Sequence, residues 1–170
     1  MNHSKVFVAL LRKEVLSEWR NKYAISGILL YLLSIVMLIA FTFETTDDRT
    51  WMVMFWIAIL FTSVNAVAKS FLQESEGRQY YMYTLAAPQL IILSKMVYNT
   101  LLMLLLSSIA LLLYVVSLGY PVADSLSFLI AMLLGAMSFA ATFSMISAIA
   151  GKASNSATLT AILSFPILLP

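Results

Sequence analysis

The sequence predicts an all-α integral membrane protein, a polytopic helical bundle, and three observations carry that prediction. Hydrophobic residues make up 62% of the 170, against roughly 45–50% in soluble domains. Charged residues make up 11%, less than half the usual share of about 25%, and the mean hydropathy is +0.94. Third, the apolar residues fall in uncharged stretches about as long as the roughly 20 residues a helix needs to cross a bilayer. A soluble domain of this size leaves too much surface exposed to hide so much apolar area. Soluble, disordered and nucleic-acid-binding classes are therefore excluded. A net charge of +2 gives no electrostatic footprint for a polyanion, so no nucleic acid is expected as a partner.

The elements follow in order as one permease-like domain over residues 1–170. Residues 4–22 read as a helix on the cytoplasmic surface. Residues 23–43 carry no charge and form the first span, closed by Glu44-Thr45-Thr46-Asp47-Asp48-Arg49-Thr50. The second span covers 51–68, with Trp51 and Trp56 as interfacial anchors. Residues 69–88 form a polar cytoplasmic segment, and 89–118 form the third span, in which Lys95 is expected to snorkel to the interface. Gly119-Tyr120-Pro121 signals a turn, reinforced by Asp124, before a fourth span over 125–150. A fifth begins near Ala157 and is still apolar at Pro170. The 157–170 stretch is short for a crossing, which reads either as a fragment of a longer chain or as a re-entrant segment, the fragment being favoured.

Orientation follows from the basic residues, nine of the ten falling on one side. Five lie in the N-terminal segment (Lys5, Arg12, Lys13, Arg20, Lys22), two in the 69–88 segment, and Lys95 and Lys152 complete the set. Only Arg49 lies on the other side, with Glu44, Asp47, Asp48 and Asp124. The expectation is a multi-pass protein with a cytoplasmic N-terminus. A signal peptide is not expected, because the first apolar run is too long and follows a charged helix.

In the 4–22 helix, Val8, Leu11, Val15 and Trp19 recur at spacings of three and four as an apolar stripe. Arg12, Lys13 and Arg20 lie on other faces, suited to anionic headgroups, so Arg12, Lys13, Trp19 and Arg20 are the membrane-surface candidates. The alternative is a charged anchor that only enforces topology. The 69–88 segment carries both charge signs and a string of aromatics. In it Phe71, Gln73, Glu74, Glu76, Gly77 and Arg78 are candidates for docking a soluble partner; the alternative is a solvated loop with tyrosines at the headgroup belt.

Catalytic chemistry has no foothold. Cysteine is absent and the single histidine is His3, so no nucleophile–base set can be assembled, and histidine-based haem or metal ligation has no candidate in the spans. Gly151-Lys152-Ala153 lacks the earlier glycine and the hydroxyl residue of a phosphate loop. Polar groups within the spans are few, Asn65 and Asn99 among them, and ionisable residues that would mark a proton relay are missing. Ala136, Ala140, Ser144 and Ala148, with Ser127, Ala131 and Gly135 on a neighbouring ridge, read as a close-packing face.

The order of parts resembles the permease subunits of ABC-2 or export-type ABC transporters, and more closely the CcmB family, the haem exporter B proteins of cytochrome c maturation. Leu11-Arg12-Lys13-Glu14 carries the resemblance ahead of the first span. The central run pairs Phe71-Leu72-Gln73-Glu74-Ser75-Glu76-Gly77 with Leu85, Pro88 and Ile91-Ile92-Leu93-Ser94-Lys95. Ala148-Ile149-Ala150-Gly151-Lys152 and the Pro166–Pro170 ending extend it over nearly the whole chain.

The resemblance implies a six-span protein of the bacterial inner membrane, of which five spans begin here. It implies a non-catalytic subunit that works with a separate CcmA-like ATPase and with CcmC-, CcmD- and CcmE-like proteins. ATP would be bound by the ATPase and haem handled by partners, with no cofactor held by this chain and a homodimer left open. Residues 70–79 would meet the ATPase. Rival readings are an ABC-2 exporter of a drug, lipid or polysaccharide, and a non-transporting membrane scaffold.

Overall fold

A computed structural model describes residues 3–20, 22–43, 47–72, 87–120 and 122–150, and every element among them is a helix. They are α1 (His3–Arg20), α2 (Lys22–Thr42), α3 (Asp48–Leu72), α4 (Pro88–Leu118) and α5 (Ser125–Ala150). The four from α2 onward are long and apolar enough to cross a membrane. α2 covers the stretch expected as the first span and α5 the fourth. α3 starts earlier and runs further than the expected 51–68. The segments 73–86 and 151–170, which hold most of the expected coupling segment and the fifth span, lie outside the described residues.

Local chemistry sets the helix ends. Asp47 caps α3: its Oδ2 accepts from Thr50 N at 3.4 Å, and its carbonyl accepts from Trp51 N at 3.0 Å. Asp124 caps α5 in the same way, accepting from Ser127 N at 3.2 Å on Oδ1. A short carboxylate at this position satisfies amide donors that have no partner within the helix. The hydrogen bonds from Thr50 and Ser127 hold the Asp47 and Asp124 carboxyls below the ordinary range. α4 opens with Pro88, whose missing N–H falls where no intrahelical partner exists. It closes at Gly119, whose φ of 78° is cheap only for glycine and whose N–H returns to Val115 O at 3.1 Å.

α4 is the spine. It packs against every other described helix, while α5 packs on α3 and α4, and α1 lies against α4 and α2. Thirty-one residues make α4, about 46 Å long at 1.5 Å per residue, more than the roughly 30 Å of hydrocarbon. α2 turns Ile28, Leu32, Val36 and Ile39 inward and leaves Leu30, Leu38 and Phe41 outward. Such outward apolar faces suit lipid rather than water. Several hydroxyls within the spans bond to their own helix, as in Thr62 Oγ1 to Ala58 O at 2.7 Å and Ser108 Oγ to Leu104 O at 2.8 Å. Asn65 does likewise, donating to Phe61 O. That arrangement is how isolated hydroxyls and amides are satisfied where water is absent.

Two sequence expectations need correction here. Trp51 is not an interfacial anchor; it is fully buried, its ring against Phe55, Tyr114, Tyr120 and Phe128 at centroid distances of 5.4–6.0 Å. The polar run before it placed it at a membrane boundary, but the pairing of α3 with α4 and α5 turns the ring inward. On α5, Ala136, Ala140 and Ser144 are buried as a packing face. The neighbouring ridge does not follow: Ser127 and Ala131 are exposed, and only Gly135 is closely approached. A Cβ there would sit 2.5 Å from two atoms of the Trp56 ring, so glycine permits the contact between α3 and α5.

Candidate functional site

The functional candidate is the junction of α1 with the start of α4. The buried side of α1 is set by Leu10 and Glu14, flanked by half-buried Phe7, Leu11 and Lys13. Four residues apart, Leu10 and Glu14 share one helical face. The expected stripe is therefore divided: Leu11 borders the bundle, whereas Val8 and Val15 face away from it. Across the junction, Ser94, Lys95, Tyr98 and Asn99 lie on the inward face of α4.

Glu14 is the centre of this junction. Its Oε1 lies 3.6 Å from Lys95 Nζ and accepts a hydrogen bond from Lys13 Nζ at 3.1 Å. Lys95 is 2% exposed and Glu14 7%. This corrects two sequence readings. Lys95 does not snorkel outward, and the start of the third span does carry a buried ionisable group. The reason is tertiary: a carboxylate from another helix meets the ammonium, and a paired charge can stay buried where a lone one cannot.

A polar seam continues from the pair. Asn99 donates from Nδ2 to Ser144 Oγ at 2.8 Å, joining α4 to α5 inside the bundle. Tyr98, Ser94 and Ser147 are buried alongside, Ser94 bonding to Ile91 O at 2.8 Å. In lipid, helices gain little from apolar burial against one another, so close packing and such interhelical polar contacts carry the association. Among the described residues no group of His, Cys, Asp and Glu could hold a metal ion.

Of the residues singled out from sequence, Arg12 and Arg20 are exposed on α1 and Lys13 is half-buried against Glu14. Trp19 lies in the last turn of α1, and Phe71 in the last turn of α3. Gln73, Glu74, Glu76, Gly77 and Arg78 lie outside the described residues. Glu14 was missed as a site residue, and Asn99 was noted only as a polar group in a span. The signals were present: Glu14 lies four residues after Leu10, and Ser94, Lys95, Tyr98 and Asn99 recur at a spacing that puts them on one face of a helix.

Neither the curated proteins nor the solved structures yield a match to the chain. The ABC-2 type transporter family does match, over residues 5–169, nearly the whole sequence. That span takes in nearly all of α1, the four described helices long and apolar enough to cross a membrane, and the junction between α1 and α4. The chain therefore belongs to the ABC-2 type transporter family and is the membrane component of an ABC exporter permease.

Proposed function

We propose that this permease works in cytochrome c maturation, as the CcmB-like subunit that couples ATP hydrolysis by a partner ATPase to haem delivery or to release of a haem-loaded chaperone. The observation that supports coupling is the Glu14–Lys95 pair, which fixes α1 to the spine helix of the bundle. A force applied to α1 is thereby delivered to α4, and through α4 to every helix packed on it. The haem assignment rests on the resemblance carried by Leu11–Glu14, the 71–77 run and Ile91–Lys95. The partners are a CcmA-like ATPase and CcmC-, CcmD- and CcmE-like proteins in a bacterial inner membrane, with the N-terminus cytoplasmic. Haem is handled by those partners in this reading.

Phe71, Gln73, Glu74, Glu76, Gly77 and Arg78 form the ATPase-facing segment in this reading. The physical requirement is contact that differs between two nucleotide states of the ATPase. Charge reversal at Glu74 and Glu76 should abolish co-purification of the ATPase while membrane insertion persists. Retention of the ATPase by the double variant would remove the assignment of that segment.

The test of function is deletion of the full-length gene in its host, with a complemented strain, followed by staining of membrane proteins for covalently bound haem. Loss of c-type cytochromes with b-type haem retained is expected. Unchanged staining would overturn the cytochrome role and leave an ABC-2 exporter of another substrate.

A further inference from the structure

We infer that the outward face of α1 is a seat for one anionic phospholipid, whose phosphate is held by Lys5 and Arg12 while an acyl chain lies over Val8, Ala9 and Leu16. The inference is independent of the cytochrome role. A depression of about 550 Å³ opens on this face, lined by Lys5, Val8, Ala9, Arg12, Lys13 and Leu16. Sites for small ligands span roughly 300–1,000 Å³, so a headgroup with the start of a chain fits.

Both halves of a phospholipid find their match there. Lys5 and Arg12 are seven positions apart, two turns and about 10.5 Å along one helical face. Among the described residues no acid lines it, and Glu14 is held by Lys13 and Lys95. Val8 and Ala9 between the two cations, and Leu16 a turn beyond Arg12, make the floor apolar, and the bundle does not cover it: Val8 is 60% exposed and Leu16 50%. A purely ionic partner would leave those side chains in water, and a purely apolar one would desolvate the cations. An anionic lipid satisfies both, with the long cationic side chains reaching from the apolar floor to the phosphate. α1 is also in the right place, docked on α4 and α2, whose outward faces are apolar. A soluble acidic peptide has the charge but not the chain for Val8 and Leu16.

The full chain in neutral detergent, titrated with phosphatidylglycerol or phosphatidylcholine and read by native mass spectrometry, tests this. Each cation near such a surface contributes about fivefold, so Lys5 and Arg12 together should favour phosphatidylglycerol by about thirtyfold. The double variant Lys5→Gln/Arg12→Gln should erase the preference, Val8→Asn/Leu16→Asn should weaken both lipids, and Arg49→Gln, beyond the other end of the spans, should change neither. All four α1 side chains are exposed, so unaltered thermal unfolding should accompany these losses. Equal retention of the two lipids, or a preference that survives Lys5→Gln/Arg12→Gln, would overturn the inference. So would displacement by glycerol 3-phosphate or polyglutamate, which would reassign the face to a free phosphate or an acidic peptide. A photoactivatable phosphatidylglycerol gives a readout on the unaltered chain. Cross-links within residues 5–16 are expected, and cross-links confined to α2–α5 would overturn the seat.

Discussion

Where α3 begins and α4 ends, the interior is aromatic: Trp51, Phe55, Tyr114, Tyr120 and Phe128 meet at 5.4–6.4 Å. Where α4 begins and α5 ends, the interior is polar, with Glu14, Lys95, Asn99 and Ser144 buried and joined. Lys95 and Tyr114 lie on the same helix, about 28 Å apart along it, close to the thickness of the hydrocarbon layer. The aromatic end is held by many weak ring contacts, mostly edge-to-face, each with a preferred geometry. Among the described residues, the α1 end has directed polar contacts instead: Glu14 with Lys13 and Lys95, and Asn99 with Ser144.

The sharpest way to break the contrast is to remove one member of the ion pair. Glu14→Ala removes the carboxylate that the buried Lys95 ammonium faces and should cost up to about 3–5 kcal/mol, read as thermal unfolding in detergent; Lys95→Ala should cost less, because Lys13 still donates to Glu14. The double variant Glu14→Leu/Lys95→Met should recover most of that loss, since a buried pair is often replaceable by apolar residues of similar volume. Additive losses in the double would show that the two groups do not interact.

At the aromatic end, Trp51→Ala should cost the lower part of about 3–5 kcal/mol. The lower part is expected because a membrane interior supplies packing energy but little hydrophobic drive between helices. No partner substitution should rescue it, because its contacts are spread over four rings. A full rescue by any single second change would show that the ends do not differ as described.

Gly135→Ala, between the ends, should destabilise by about 1–3 kcal/mol through overpacking against Trp56. Trp56→Ala should cancel that penalty in a double-variant cycle, and a penalty that persists would place the strain elsewhere.

The smallest effect is at the caps. The Asp47 and Asp124 carboxyls titrate below the ordinary 3.8, so the stability they contribute is complete above pH 3.8 and is lost as pH falls through their depressed folded values. Asp47→Asn/Asp124→Asn should keep the caps but flatten the stability profile below pH 3.8, measured by unfolding at a series of pH values. An unchanged acid slope would remove both groups as its source.

Much of the fold was legible because a bilayer leaves few solutions. Uncharged runs marked α2 and α5 nearly to the residue, Pro88 marked the start of α4, and Gly119 marked its end, each through a local rule that needs no tertiary partner. The family was legible for the same reason, from the order of a charged helix, spans and a polar segment. The caps at Asp47 and Asp124 could also have been read, since each precedes an apolar run by a few residues. Burial was harder. Trp51 and Trp56 look alike in sequence, yet one is the hub of a ring cluster and the other leans on Gly135, because the neighbouring helices decide which ring is enclosed.

The sequence by itself determined that this chain is a helical membrane bundle, roughly where its helices run, and that it is an ABC-2 type permease in outline. Hydropathy, turn residues and the apolar length of each span are local properties, and the membrane enforces them. The tertiary structure alone decided that Glu14 meets Lys95, that Asn99 meets Ser144, and that the face shared by Lys5 and Arg12 is left uncovered. A charge beside an apolar run can snorkel, pair or bind a ligand with equal local sense, and only the helix that packs against it selects among these.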